Sequence, residues 1–453
     1  MEAGNNQNKL LKNIFSLSLL QVANNLLPIL SIPIIVRIIG PENFGAINFA
    51  TVVVSYFILL TNYGFDLTAT RSIALNKQDV VMRSRIFNEV LFSKLFLLLL
   101  SIGIFLITLY TMPQLATEKE VAIYSFLIVF SFVLTPNWLY QGMQELYNIA
   151  IFNFITKLVF TVLVLFVVRE KEDYIWQPFI ISVAHILVGV VAFIWAVKRY
   201  KIHLYAVSLK RVFNVLWSER VIFFSFVSVN VYTYASALIL GLVDTKEAVA
   251  YFTASWRLVI IMHTIVTIPL GMSLFPYIGE SFGISKERGI EQVSRTAPFV
   301  ALLTALMGIG VWLLAPYIVT IFYGEAFRPG IGVLRILCFV PMIMGISNLM
   351  GVQTMVNLKM DMPYTKIIAV GGVLGLAFNF WLAKQASYIG AAWAWLLTEI
   401  SIALIMYVYL RRRGIRILDA RFFNYNFIKE SVQPIWQTIK SKMVKTKNVS
   451  KPF

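Results

Sequence analysis

VAYFTASWRLVIIMHTIVTIPLG, residues 249–271, decides the class of this chain. The stretch is longer than the ~20 residues a helix needs to cross ~30 Å of hydrocarbon. It is mostly apolar, and no run of polar residues interrupts it. Yet Arg257 sits in its interior, and His263 follows six residues later. A charge at membrane depth costs roughly 2.5–3.5 kcal/mol on insertion scales, so the position needs a compensating role.

Comparable runs recur along the whole chain. Of its 453 residues, 59% are hydrophobic and 13% charged, a balance that belongs to a polytopic membrane protein rather than a soluble domain. Spans are expected near 14–38, 44–63, 89–110, 121–141, 148–168, 176–197, 221–243, 249–271, 296–323, 331–356, 364–384 and 389–410. Breaker-rich segments separate them, among them GPENFG (40–45), TMPQLATEKE (111–120), REKEDY (169–174) and YGEAFRPG (323–330). The expected fold is all-α and integral to the membrane. It has about twelve transmembrane helices in two six-helix lobes around a central cavity, with both termini cytoplasmic. The lobes would be residues 1–200 and 221–410, joined by a cytoplasmic linker at 201–220 and followed by a basic tail at 411–453. The polar start, MEAGNNQNKLLKN, has no cleavable signal-peptide pattern. The single cysteine, Cys338, excludes a disulfide framework and a Cys-rich metal site.

Charge sets the orientation. With a cytoplasmic N-terminus, inside segments and the adjoining span edges hold 29 of the 39 Lys and Arg, and outside segments with their span edges hold 7. That asymmetry follows the positive-inside rule, so the net charge of +17 calls for no nucleic acid. In the tail, Phe422, Phe423, Tyr425 and Phe427 alternate with basic residues, which suits either an interfacial helix or a solvated tail. An internal echo suggests duplication. GMQ (142–144) is followed by TK at 156–157, and GVQ (351–353) by TK at 365–366, both at an offset of 209. A 6+6 arrangement with a cleft between the halves would produce it.

Several chemistries drop out. No G-x-x-x-x-G-K-[ST] loop cradles a nucleotide, and His185, His203 and His263 lack metal-ligand spacing. No Ser/His/Asp set and no potassium-filter sequence are recognisable, so neither an enzyme, a cofactor nor a metal site is expected. Polar residues inside the spans remain. Gln21, Asn24 and Asn25 share one face of the first span with Pro28; they would line a cavity or hydrogen-bond between helices. Asp66 and Arg71, in NYGFDLTATR, would pair at the interface or face a cleft. Lys94 and Lys157 lie early in spans that start from the cytoplasm, where snorkelling competes with cavity lining. Arg257, Arg335 and Glu399 lie deeper. The intramembrane charge is thus mainly positive, and a water-filled cleft lined by it favours phosphate and pyrophosphate. Asp66, Glu89 and Glu399 are the candidate carboxylates for coupling to an ion.

Three segments carry a family resemblance. LLQVANNLLPILSIPIIVRIIGPENFGAINFATVVVSYFILLTNYGFDLTATRSIA (19–74), YGEAFRPGIGVLRILCFVPMIMGISNLMGVQTMVNLKMD (323–361) and YIGAAWAWLLTE (388–399) resemble, in that order, O-antigen and capsule repeat-unit flippases of the Wzx type. The resemblance implies the multidrug/oligosaccharidyl-lipid/polysaccharide superfamily fold in a bacterial inner membrane. It implies a polyprenyl-diphosphate-linked oligosaccharide as cargo, with membrane lipid and the polysaccharide polymerase and export machinery as partners. Lipid II flippases of that superfamily hold cargo with arginines in helices 1, 2 and 8. Here helix 8 supplies Arg257, helix 1 offers only Arg37 near its outer end, and helix 2 has no central arginine, a departure that points away from lipid II. The rival classes are an ion-coupled exporter of drugs or metabolites, which would place carboxylates in the cavity, and a scaffold with no transport of its own. A glycan polymerase would need a sizeable outer loop, and the chain has none.

Overall fold

The computed structural model describes residues 2–419 and 421–424, with side chains for residue 27 and, with few exceptions, from residue 31 onward. Gln21, Asn24, Asn25, Tyr425 and Phe427 therefore fall outside the residues whose side chains are described. Every regular element among the described residues is helical. In chain order the longer ones are α1 (Glu2–Asn62), α2 (Phe65–Leu75), α3 (Val80–Thr111), α4 (Lys119–Gly142), α5 (Leu146–Val167), α6 (Trp176–Arg199) and α7 (Leu209–Val243). Then α8 runs from Lys246–Met262 through a π-helical turn, His263–Thr267, into Ile268–Ile284. Last come α9 (Lys286–Tyr323), α10 (Gly330–Val356) and α11 (Asp361–Arg412).

Nine stretches among the described residues are long and apolar enough to cross a membrane. Their outer surfaces agree: Leu99, Ile107, Phe166, Leu306 and Ile321 are all exposed, an arrangement that suits hydrocarbon and not water. Local chemistry sets the breaks. Within α1 Gly40 adopts φ 76°, a conformation a Cβ would resist, and Pro41 lacks the N–H that would continue the ladder. Tyr63 and Gly64, at φ 50° and 85°, separate α1 from α2. In α4 the interruption falls at Thr135 and Pro136. In α8 the π turn directly precedes Pro269, where the regular ladder cannot be maintained. In α11 the break is at Ala386 and Ser387.

The chain forms two compact units. Unit 1 comprises Met1–Ser255, Pro316–Val333 and Leu376–Ala394, and unit 2 comprises Trp256–Ala315, Leu334–Gly375 and Trp395–Phe453. Phe65, Ile73, Phe87, Trp138, Tyr140 and Ala192 anchor a core in unit 1. Unit 2 packs around Ile278, Val293, Leu349, Met355, Ile402 and Met406, and Ile415 and Ile417 beyond the end of α11 join that core.

One end of unit 1 is built from six turns that lie far apart in sequence. Phe44, just after the Gly40 break, meets Tyr323 and Phe327 with ring centroids 6.3 and 5.8 Å away. Tyr251, near the start of α8, meets Phe327 and Tyr388. Glu118 pairs with Lys246 and accepts a hydrogen bond from Tyr174 Oη at 2.8 Å. Gly45 and Gly241 each allow a close approach. A Cβ at 45 would press on the carbonyl of Lys246, and one at 241 on the ring of Phe49.

Candidate functional site

Lys94 is the most buried cation among the described residues, at 2% exposure. Its Nζ donates to Asn62 Oδ1 at 3.0 Å and to the Phe132 carbonyl at 3.1 Å. The sequence creates that second acceptor. In a regular helix the carbonyl of residue 132 would receive the N–H of residue 136, and residue 136 is proline. A break in α4 thus frees a carbonyl, and a lysine from α3 takes it up. The third N–H of the ammonium has no hydrogen-bond partner among the described residues. Asp66 lies within electrostatic reach of Lys94, although it is exposed and sits at the N-terminus of α2, where the helix dipole favours an anion. Asp66 and Arg71 form no ion pair among the described residues; both are exposed.

Lys157 is half-buried on α5, and the imidazole of His185, on α6, lies in its field. The other unit 1 candidates are engaged elsewhere. Arg37 donates to the carbonyls of Thr320 (3.1 Å) and Ile321. It therefore caps the C-terminal end of α9, where cations are favoured, sharing the Thr320 carbonyl with the Gly324 N–H. Glu89 Oε1 accepts from Arg85 Nε at 2.9 Å and from Arg211 Nε at 2.8 Å.

Unit 2 holds the remaining three. Arg257 is half-buried on α8. Its neighbour Trp256 meets Trp395 of α11 edge-on, at 5.8 Å between centroids. One turn beyond Trp395 on α11, Glu399 is 5% exposed and forms no ion pair among the described residues; Tyr364 lies within its electrostatic reach. A carboxyl group in such a setting is costly to ionise without a partner. Arg335 stacks on Trp312, with its Cζ 5.0 Å from the ring centroid.

The structure also presents groups that sequence patterning did not single out as site residues. Gln353 is fully buried in a π-helical turn, Gly351–Val356. Its Nε2 donates to the carbonyl of Gly271 (2.9 Å) and to Asn348 Oδ1 (3.2 Å), while its Oε1 has no partner among the described residues. His263 Nδ1, on the π turn of α8, is likewise buried without one. Residue 353 stood out in the sequence only as part of the GVQ echo. The available signal for its packing was the glycine before it, beside which a Cβ would meet the Tyr364 ring.

Unit 1 thus brings together Lys94 with Asp66 nearby, and Lys157 with His185. Arg37 and Glu89 stand apart from both. Such cations suit the binding of an anion, because the protein has already borne the cost of desolvating them.

Comparison with known proteins places these features in context. The chain matches the family described as polysaccharide biosynthesis protein over residues 10–282. A relative described as "Putative O-antigen transporter", from Escherichia coli (strain K12), is 28% identical over 407 residues, covering 90% of this chain and 98% of its own. The solved structure "Lipid II flippase MurJ, inward closed conformation" superposes with a TM-score of 0.69 at 12% identity, covering 88% of this chain and 87% of that one. An inward-facing multidrug resistance MATE family transporter of the MOP superfamily gives 0.68 at 15% identity, over 86% and 94%. The shared architecture is the one the sequence resemblance implied.

Proposed function

Because the chain belongs to the polysaccharide biosynthesis protein family, we propose that it is a lipid-linked oligosaccharide flippase. It moves polyprenyl-diphosphate-linked glycan repeat units from the cytoplasmic to the outer leaflet of the bacterial inner membrane, for surface polysaccharide of the O-antigen or capsule type. The observation that carries this reading is the likeness to an O-antigen transporter along 90% of the chain. The fold alone is neutral, since a lipid II flippase and a drug transporter superpose almost equally well.

The physical task is to carry a sugar diphosphate across ~30 Å of hydrocarbon. Buried cations lower that barrier by replacing water around the diphosphate with fixed N–H donors. Lys94, Lys157, Arg257 and Arg335 are the proposed contacts, and Gln21, Asn24 and Asn25 the proposed polar wall. The lipid tail need not leave the bilayer. Alternating access requires that some packed face part and re-form. The six-turn end of unit 1 is suited to that, because aromatic rings, one ion pair and two glycine contacts close it. With the membrane negative inside, moving ~2 negative charges outward is favourable by about 4–5 kcal/mol per 100 mV. Ion antiport through Glu399, Asp66 or Glu89 is therefore compatible with transport without being required by it.

The test is flipping of a fluorescent polyprenyl-diphosphate oligosaccharide in liposomes by wild type, Arg257→Ala and Arg257→Lys. Wild type is expected to flip it, Arg257→Lys to retain part of the rate and Arg257→Ala to lose it. Absence of flipping by wild type with several glycans would refute the assignment.

A further inference from the structure

At the end of unit 1 remote from Gly40, beyond Gly64, the helices α2, α3 and the first turns of α7 line a half-open pocket of ≈ 290 Å³. Thr68, Ser72, Glu89, Arg211, Asn214, Ser218 and Glu219 form its polar lining. One wall is neutralised, since Glu89 accepts from both Arg85 and Arg211. The other wall is not. Glu219 lies within hydrogen-bonding reach of Thr68 and has no ion pair among the described residues. A free phosphate entering the pocket would meet the Glu219 carboxylate, and a bare cation would meet the Arg211 guanidinium. A neutral ligand rich in hydroxyl groups meets neither objection. Each hydroxyl both donates and accepts, which matches carboxylate acceptors, guanidinium and amide donors, and three hydroxyl side chains. The volume lies at the lower end of small-molecule sites, about 300–1,000 Å³, and suits one sugar ring rather than a chain of them.

The opposite face of the same helix tells where such a ligand is anchored. Leu209, Phe213, Trp217, Val221 and Phe224 are all exposed. Their spacing of three and four residues makes one apolar stripe along α7, continuous with its apolar end, Thr233–Val243. Arg220 lies over the Trp217 ring at 4.1 Å, an amphipathic pairing suited to the level of lipid headgroups. The stripe starts in the stretch 201–220 expected on the cytoplasmic side and runs into the span that follows, so the pocket lies beside the level of the lipid headgroups. The geometry points to a subsite in which a hydroxyl-rich sugar ring of a lipid-linked headgroup docks while its tail stays in the bilayer. This assignment rests on the flippase reading and adds to it a place where the glycan, rather than the diphosphate, is recognised.

The experiment measures binding to the full-length protein in nanodiscs by native mass spectrometry. The probes are decaprenyl diphosphate, bare or carrying glucose, galactose or N-acetylglucosamine, and the same sugars free in solution. Wild type is expected to prefer at least one sugar-bearing lipid over the bare lipid by about tenfold. Asn214→Ala should weaken that preference about five- to tenfold, as loss of one hydrogen bond does, and Ser218→Leu, which fills the pocket, should abolish it. Unchanged binding of the bare lipid by both variants controls for folding. A preference that survives in both variants, or is absent for all three sugars in wild type, overturns the subsite. Equal competition by a free sugar overturns the lipid-linked source. Liposome flipping runs in parallel. Normal flipping with an unaltered sugar preference in the variants removes this subsite and leaves the flippase reading standing, whereas no flipping by wild type removes that reading itself.

Discussion

Gly45→Ala is the sharpest probe of the six-turn face. A methyl at that position would lie 2.5 Å from the carbonyl carbon of Lys246 and 3.2 Å from its Cα, against 3.4–4 Å for ordinary contact. Both partners are backbone, so no rotamer change relieves the clash, and the start of α8 must withdraw by about 1 Å or more. Overpacking of this kind costs ~1–3 kcal/mol, and the upper end applies where neither side can yield. Withdrawal also loosens the Glu118–Lys246 pair and the contact between Phe49 and Gly241 on the same face. If the closed face is one of two states in a transport cycle, ~3 kcal/mol shifts the balance ~150-fold toward the parted state. The assay is labelling of Ala46→Cys, a position 4% exposed, by a membrane-impermeant maleimide. Native Cys338 is fully buried and stays silent. Labelling should accelerate at least tenfold in the Gly45→Ala background. Gly310→Ala is the control, because nothing lies within 4 Å of its Cβ; helical propensity there predicts a gain of ~0.5–1 kcal/mol. Wild-type labelling together with an unchanged thermal midpoint in Gly45→Ala would refute the reasoning.

Two further substitutions separate structural from cargo roles. Lys94→Met should lower the thermal midpoint, because it leaves the Asn62 amide oxygen and the Phe132 carbonyl unsatisfied at ~1–3 kcal/mol each; Lys94→Gln should recover part of the loss, and a Lys94→Met variant as stable as wild type would show that the lysine is no clamp. Arg37→Ala should cost ~0.3–1 kcal/mol through the uncapped end of α9 and leave cargo affinity alone in a titration of flipping rate against lipid-linked oligosaccharide, whereas a large rise in half-saturation would assign Arg37 to the cargo.

The helices were legible because the demand that lipid places on a backbone is local. An apolar run such as 249–271 has to satisfy its own N–H and C=O groups, and the break at GPENFG is announced by its glycine and proline. Destinations of polar side chains were not legible, because they are tertiary. Arg37 reads as a cation near the outer end of a span, yet its acceptors are 283 and 284 residues away. Lys94 reads as a residue able to snorkel; its role depends on a proline in another helix. The echo of GMQ in GVQ reads as a shared place in two repeats, but Gln144 takes φ 63° in the turn before α5, whereas Gln353 lies inside a π turn. Identical letters there serve different backbones.

The π turn of α8 has a consequence for phase. A π turn admits one residue more than the α-helix would, and each residue advances the helix by about 100°. Everything in α8 after Thr267 is therefore rotated by that angle relative to an unbroken helix. Gly271 and Gly279 face Asn348 of α10 and Asn357 just past its end because of that added residue. Removing a single residue from His263–Thr267 would leave the composition of α8 almost untouched and its length nearly unchanged. It would nonetheless swing both glycines off α10 and present bulkier neighbours in their place. The segment His263–Thr267 thus acts as a phase shifter, and the packing of unit 2 is encoded as much in how many residues that segment has as in which ones.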